Sequence, residues 1–202
     1  MRSAFIAAFL TLTTLPARAD DLRDLLREGP VVSVRTGKDN KFDRAVAVAD
    51  VKAPPTLVWR VITDFANYRL FVPKLLKSDV RSSADGEAVV AYEVDAPIIN
   101  VRYTFRYELD PAAMVARGRW VDGALKDSFC EWKVEPADDG SLVYFTAAAR
   151  HFSALAEQLE DKQQTITMGI NLVGAMSILK AVKTRAESLA SAPAEPPDAG
   201  HP

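Results

Sequence analysis

Between Leu75 and Arg150 the chain alternates apolar and polar residues with a period of two, and the breaks in that alternation are only long enough for tight turns. The breaks carry Asp85-Gly86, Asp110-Pro111, Asp122-Gly123 and Asp138-Asp139-Gly140. A parallel crossover needs a dozen or more residues, so connections this short join antiparallel neighbours. The spacing predicts strands over Leu75–Ser82, Glu87–Val94, Val101–Leu109, Met114–Val121, Lys126–Val134 and Leu142–Ala149. Upstream, Val31–Thr36 and Phe42–Val51 predict a hairpin about Gly37-Lys38-Asp39-Asn40.

The alternation also assigns faces. Val90, Tyr92 and Val94 oppose Glu93 and Asp95; Tyr103, Phe105 and Tyr107 oppose Arg102, Arg106 and Glu108. Met114, Ala116 and Trp120 oppose Arg117 and Arg119. Cys130, Trp132 and Val134 oppose Glu131, Lys133 and Glu135, and Val143 with Phe145 completes the apolar set. One face is therefore aromatic and apolar, the other charged, and the apolar face needs a cover.

The cover is a helix over about Leu159 to Leu189, a range without proline. Met168, Leu172, Ala175, Leu179, Val182 and Ala186 form one stripe at helical spacing. Ile166, Ile170 and Val173 form a second stripe, and Gln163 to Leu179 carries no charge. Thr165, Thr167, Asn171 and Ser177 interrupt that run, which also falls short of the roughly 20 apolar residues of a membrane span, so it reads as a core helix. Before the meander, Asp20–Glu28 predicts a short helix stopped by Gly29-Pro30. Ala53-Pro54-Pro55-Thr56 punctuates the chain, with Thr56 as the expected N-cap of a helix bearing Leu57, Val58, Val61, Ile62 and Phe65. A helical turn over Asn67–Val72 ends at Pro73.

At the other end of the chain, Arg2, the uncharged run Ala4 to Leu15 and the close Pro16-Ala17-Arg18-Ala19 have the pattern of a secretory signal peptide. The expectation is cleavage after Ala19 and a periplasmic or secreted protein. Four segments follow: signal peptide 1–19, N-terminal extension 20–41, a core domain 42–189, and an Ala/Pro-rich tail 190–202 expected to be disordered. The formal charge is −2, with no basic stripe of the kind nucleic acid demands. Cys130 is the only cysteine and His151 and His201 the only histidines, so the reading assigns no disulfide, metal or cofactor.

The stretch Ala53-Pro54-Pro55-Thr56-Leu57-Val58-Trp59-Arg60-Val61-Ile62-Thr63-Asp64-Phe65, then Tyr68 and Phe71-Val72-Pro73, resembles the opening of the START-like (SRPBCC) superfamily. That superfamily includes polyketide cyclase/dehydrase-like and coenzyme Q-binding proteins. Val121-Asp122-Gly123-Ala124-Leu125-Lys126-Asp127 and Trp132-Lys133-Val134-Glu135-Pro136 are similar to its later turn and penultimate strand. Ala96-Pro97-Ile98-Ile99-Asn100-Val101-Arg102 is similar to a segment in which an Arg-Asp pair follows a proline, but Tyr103 replaces that Asp, so no role attached to the Asp carries over. The likeness runs from about Phe42 to Leu189.

The resemblance implies an α+β helix-grip fold, an antiparallel sheet wrapped around the long C-terminal helix with a cavity between them for lipids, sterols, quinones or polyketides. The periodicity alone is equally compatible with a filled core. Gly169, Gly174 and Ala175 are expected to leave room beneath the helix. On the implied fold, the pocket lining is Tyr92, Arg102, Tyr103, Phe105, Tyr107, Trp120, Trp132 and Phe145 from the sheet, with Met168, Leu172 and Met176 from the helix. Arg102 is placed at the cavity mouth by the resemblance.

Pro97, Ile98 and Ile99 put apolar residues in a link where polar ones are usual, which suggests a gate or a foot making transient contact with a membrane. Trp59 and Phe65 read as packing residues. Cys130 points inward and is expected to be inert, His151 has no orienting partner, and Asp64 and Asp127 are the acids to inspect for base chemistry. No catalytic residue is assigned. The reading is an exported binding or transfer protein for a hydrophobic small molecule or lipid. Its alternatives are a polyketide cyclase/aromatase-like enzyme, or a non-catalytic scaffold with a filled core.

Overall fold

The computed structural model describes residues 19–38, 41–96, 100–150 and 163–192. Helix α1 (Ala19–Glu28) precedes strands β1 (Val31–Thr36) and β2 (Phe42–Val51). Helix α2 (Pro55–Thr63) and a 3-10 helix (Phe65–Leu70) lead to β3 (Leu75–Ala84), β4 (Glu87–Val94), β5 (Val101–Asp110) and β6 (Val115–Gly123). Strands β7 (Phe129–Ala137) and β8 (Gly140–Ala148) and the long helix α3 (Gln163–Ser191) complete the chain. Residues 1–18 of the expected signal peptide, the gate residues Pro97, Ile98 and Ile99, His151 and tail residues 193–202 lie outside the described residues.

The strands form one antiparallel sheet in the order β1-β2-β8-β7-β6-β5-β4-β3. The expected hairpin and meander are thus a single sheet, joined where β2 meets β8 with Val48 opposite Tyr144 and Ala47 opposite Phe145. The β3–β4 turn places both Asp85 and Gly86 at positive φ (52° and 80°), the backbone that matches the twist of a two-residue hairpin. β3 is an edge strand, and its pairing with β4 slips twice, between Leu75 and Lys77 and between Val80 and Ser82.

Helix α3 packs mainly on β2, β1, β8 and α2. Ala45, Ala47 and Ala49 of β2 are completely buried, and their small side chains allow the close approach. Lys183 donates to the Asp50 carbonyl (2.6 Å), and Glu187 accepts from the Lys52 amide (2.9 Å), which ties the helix's C-terminal half to the end of β2. The fold is α+β, a helix-grip arrangement. Among the described residues no helix is long and apolar enough to cross a membrane.

Local differences from the expected boundaries have identifiable causes. Helix α2 starts at Pro55, with Pro54 as its N-cap and no side-chain cap, so Thr56 is not the N-cap. Proline suits the first helical position because the N–H it lacks would be unpaired there anyway. β7 starts at Phe129 rather than Lys126 because Leu125 and Asp127 take positive φ (65° and 61°) in a turn closed by the Ser128 amide on the Leu125 carbonyl. The described helix α3 starts at Gln163 and runs two residues past Leu189, to Ser191. The expected short turn over Asn67–Val72 is the 3-10 helix Phe65–Leu70.

Candidate ligand-binding site

Burial along the main stripe of α3 changes sharply from one end to the other. Ala175, Leu179, Val182 and Ala186 are buried to 2% exposure or less, whereas Met168, Leu172 and Met176 are only half-buried. The sheet shows the same gradient. Trp132, Val134 and Val143 are buried with α2 residues Val58, Val61 and Ile62, while Tyr103 and Trp120 stay half-buried. Close packing at one end and partly accessible apolar side chains at the other set the N-terminal half of α3 apart as the candidate site.

That half of the helix is held at its base by Asn171, which is 4% exposed. Its amide donates to the Ala149 carbonyl (3.0 Å) and the Thr167 carbonyl (2.8 Å), and its oxygen accepts from the Ala149 amide (2.7 Å). Gly169 and Gly174 are exposed, and a Cβ at either would meet nothing within 4 Å. The room they leave lies beside the helix rather than beneath it. Only Ala175 of the three small residues is buried.

The inner face of the sheet carries a row of rings. Tyr92 meets Tyr103 at 5.3 Å between centroids, Tyr103 meets Phe105 at 5.3 Å, and Phe105 meets Tyr107 at 6.1 Å. Phe65 of the 3-10 helix stacks on Tyr107 at 4.4 Å, so its expected packing role extends to the aromatic row. Gly118 of β6 makes this crowding possible, because a Cβ there would lie 2.7 Å from both Cys130 Sγ and Tyr107 Cε1. Trp132 and Phe145 pack on each other at 4.3 Å and are buried. Trp120 donates its indole N–H to the carbonyls of Gly123 (3.2 Å) and Ala124 (3.0 Å), which fixes a half-buried ring.

Polar groups in the row are held neutral. Tyr92 donates to the Tyr107 hydroxyl (3.1 Å), and the Cys130 thiol lies 3.9 Å from the same oxygen. Burial pushes the phenols of Tyr92, Tyr103 and Tyr107 well up, and pushes the Cys130 thiol up to about 12. These groups can donate or accept hydrogen bonds, but they remain protonated at neutral pH.

Arg102 does not join this row. Its side chain is exposed on the outer face, 3.0 Å from Glu93, because strand alternation turns it away from Tyr103. Glu93 is itself buried although it lies on the charged face: it accepts from Asn100 (2.9 Å) and Arg102 (3.0 Å) and pairs with Lys77 (3.1 Å). The hydrogen bond from Arg102, then those from Asn100 and Lys77, lower its carboxyl from about 4.5 to about 2. Alternation treats every outer position as solvated and so misses this cluster; the direct opposition of Glu93 and Arg102 was its available signal. Of the acids singled out for base chemistry, Asp64 accepts both its bonds from Asn67 in a surface turn, and Asp127 is exposed.

A family model described as polyketide cyclase/dehydrase and lipid transport matches residues 43–182. No curated protein matches the sequence. Among solved structures, the Zhui aromatase/cyclase from a Streptomyces species superposes with a TM-score of 0.63 at 24% identity, covering 72% of this chain and 93% of that one. A STAR-related lipid transfer protein fragment from Xanthomonas axonopodis gives 0.63 at 18% identity, covering 79% and 94%. A START superfamily protein from Mycobacterium smegmatis gives 0.56 at 12% identity, covering 72% and 98%. At these identities the structural likeness establishes the fold.

Proposed function

We propose, from the premise that this chain belongs to the polyketide cyclase/dehydrase and lipid transport family, that it binds and carries a hydrophobic small molecule under the N-terminal half of α3. The burial gradient along α3 carries the reading: its inner stripe is buried at Ala175, Leu179, Val182 and Ala186 and left accessible around Met168 and Leu172. A guest there exchanges water for the apolar surface of those side chains and the Tyr103 and Trp120 rings, gaining about 25 cal/mol per Å² of apolar area buried. The phenol hydroxyls of Tyr92, Tyr103 and Tyr107 are the groups that would orient a polar end of the guest.

Binding is favoured over cyclisation because, among the described residues, the aromatic row carries phenols and a thiol that stay protonated at neutral pH, and no carboxylate or imidazole. The N-terminal pattern from Arg2 to Ala19 supports export, where a carrier would move its guest through an aqueous compartment.

The test is native mass spectrometry of the full chain before and after solvent extraction, with Trp emission followed as extracted protein is titrated with a sterol and a quinone. A co-purifying lipid or a saturable change in Trp emission is expected. A protein that releases nothing and responds to neither probe would leave only a scaffold. N-terminal sequencing of exported material should find Asp20 first.

A further inference from the structure

We propose a second site, on the outer face of the sheet, that binds a phosphate-type oxyanion. A shallow concavity of about 300 Å³ there is lined by Arg44, Arg117, Arg119, Phe129, Glu131 and Thr146. Gly118 and Cys130 also line it, and it lies on the face opposite α3.

The arginines are arranged in a way that simple solvation does not favour. Arg119 stands directly opposite Arg106 in the β5–β6 ladder, and Arg44 directly opposite Arg35 in the β1–β2 ladder. Like charges in facing positions destabilise a sheet. Two such pairs therefore flank one concavity in a chain whose formal charge is −2. Arg44 of the second pair is already held by Asp43, so it is chiefly the Arg119–Arg106 opposition that an anion seated here would offset.

The chemistry of the lining selects an oxyanion. Arg44 gives its Nε to Asp43 (2.7 Å), and Arg117 gives its Nε to Glu131 (2.9 Å). Each pair uses the rear nitrogen of the guanidinium, so among the described residues the terminal nitrogens of both forks are left for a ligand. Guanidinium forks match phosphate oxygens in a paired geometry that a lysine cannot supply. Arg44 is also held over the Phe129 ring, 5.6 Å from its centroid, which orients the fork against the floor of the concavity. Thr146 adds a hydroxyl that can donate to the same anion.

The experiment follows the Arg Nε–H signals by NMR and the melting temperature, in phosphate against chloride at matched ionic strength. A parallel arm measures co-sedimentation with phosphatidylcholine vesicles, with and without phosphatidylglycerol. Selective shifts and a raised melting temperature in phosphate identify a free oxyanion as ligand. Binding only to vesicles that contain phosphatidylglycerol identifies a lipid headgroup as its source.

Arg119→Gln should weaken either interaction roughly tenfold, on the scale of one charge-assisted hydrogen bond. It should not lower the melting temperature in chloride, because it also removes the opposition to Arg106. Lys133→Gln, on the same face but outside the concavity, should leave both interactions unchanged. Identical behaviour in phosphate and chloride, together with no preference for anionic vesicles, overturns the proposal.

Discussion

Asn171 of α3 and Ala149 just beyond β8 bond through two hydrogen bonds, side-chain amide to carbonyl (3.0 Å) and backbone amide to side-chain oxygen (2.7 Å). One side chain thus extends the sheet's hydrogen bonding into the helix, at the end where apolar packing is thinnest. Asn171→Ala leaves the Ala149 amide and carbonyl without this partner in a partly buried place, which costs about 1–3 kcal/mol. Chemical denaturation should show that loss, and hydrogen exchange should speed up first at Ala149 and in the N-terminal half of α3. Unchanged exchange at Ala149 would contradict this anchoring role.

Two leucines on the same helix stripe should behave differently. Leu179 is completely buried, and Leu179→Ala is expected to cost about 2–5 kcal/mol through lost transfer energy and a cavity. Leu172 is half-buried, so Leu172→Ala should cost less stability but weaken capture of a hydrophobic probe. Denaturation midpoints paired with probe titrations separate the two effects.

Gly118→Ala places a methyl group 2.7 Å from Cys130 Sγ and from Tyr107 Cε1. Overpacking of this kind costs about 1–3 kcal/mol and displaces the Tyr107 ring. Near-ultraviolet circular dichroism should change, and probe affinity should fall.

Acid stability should report on Glu93, whose folded carboxyl is lowered to about 2 from about 4.5. A lowered acid stabilises the fold fully above its unfolded value, and that contribution fades as pH falls from about 4.5 toward 2. Glu93→Gln should therefore flatten the pH dependence of unfolding within that window. The difference between the two proteins should stay constant above it.

A Tyr107→Phe change removes the hydroxyl that accepts from both Tyr92 and Cys130 and strands two buried donors. The expected cost is about 1–2 kcal/mol. Adding Tyr92→Phe should recover part of it, since one of the two stranded donors is then gone; a strictly additive double variant would show the two hydroxyls to be uncoupled.

The strands were legible because their signal is local. Val31–Thr36, Phe42–Val51 and Glu87–Val94 have the boundaries that alternation and turn residues indicate. The late start of β7 was not, because Leu125 and Asp127 adopt positive φ without a glycine to mark them. Pairing of β2 with β8 joins residues such as Ala47 and Phe145, far apart in sequence, and no periodicity encodes it. A cavity is what the resemblance implies and the stripe does not, since Met168 and Leu179 occupy equivalent places on it. Only the packing of neighbours distinguishes the half-buried residue from the fully buried one.

The two slips in the β3–β4 pairing bear on how copies of this protein behave together. An outermost strand that exposes Leu76 and Val80 would otherwise be a template for another chain. Each slip bends that rim and breaks the even spacing of its hydrogen-bonding groups, and Lys77, Asp79 and Arg81 add exposed charge along it. A neighbouring molecule therefore meets a kinked, charged border, and end-to-end zipping into a fibre is disfavoured even at high concentration.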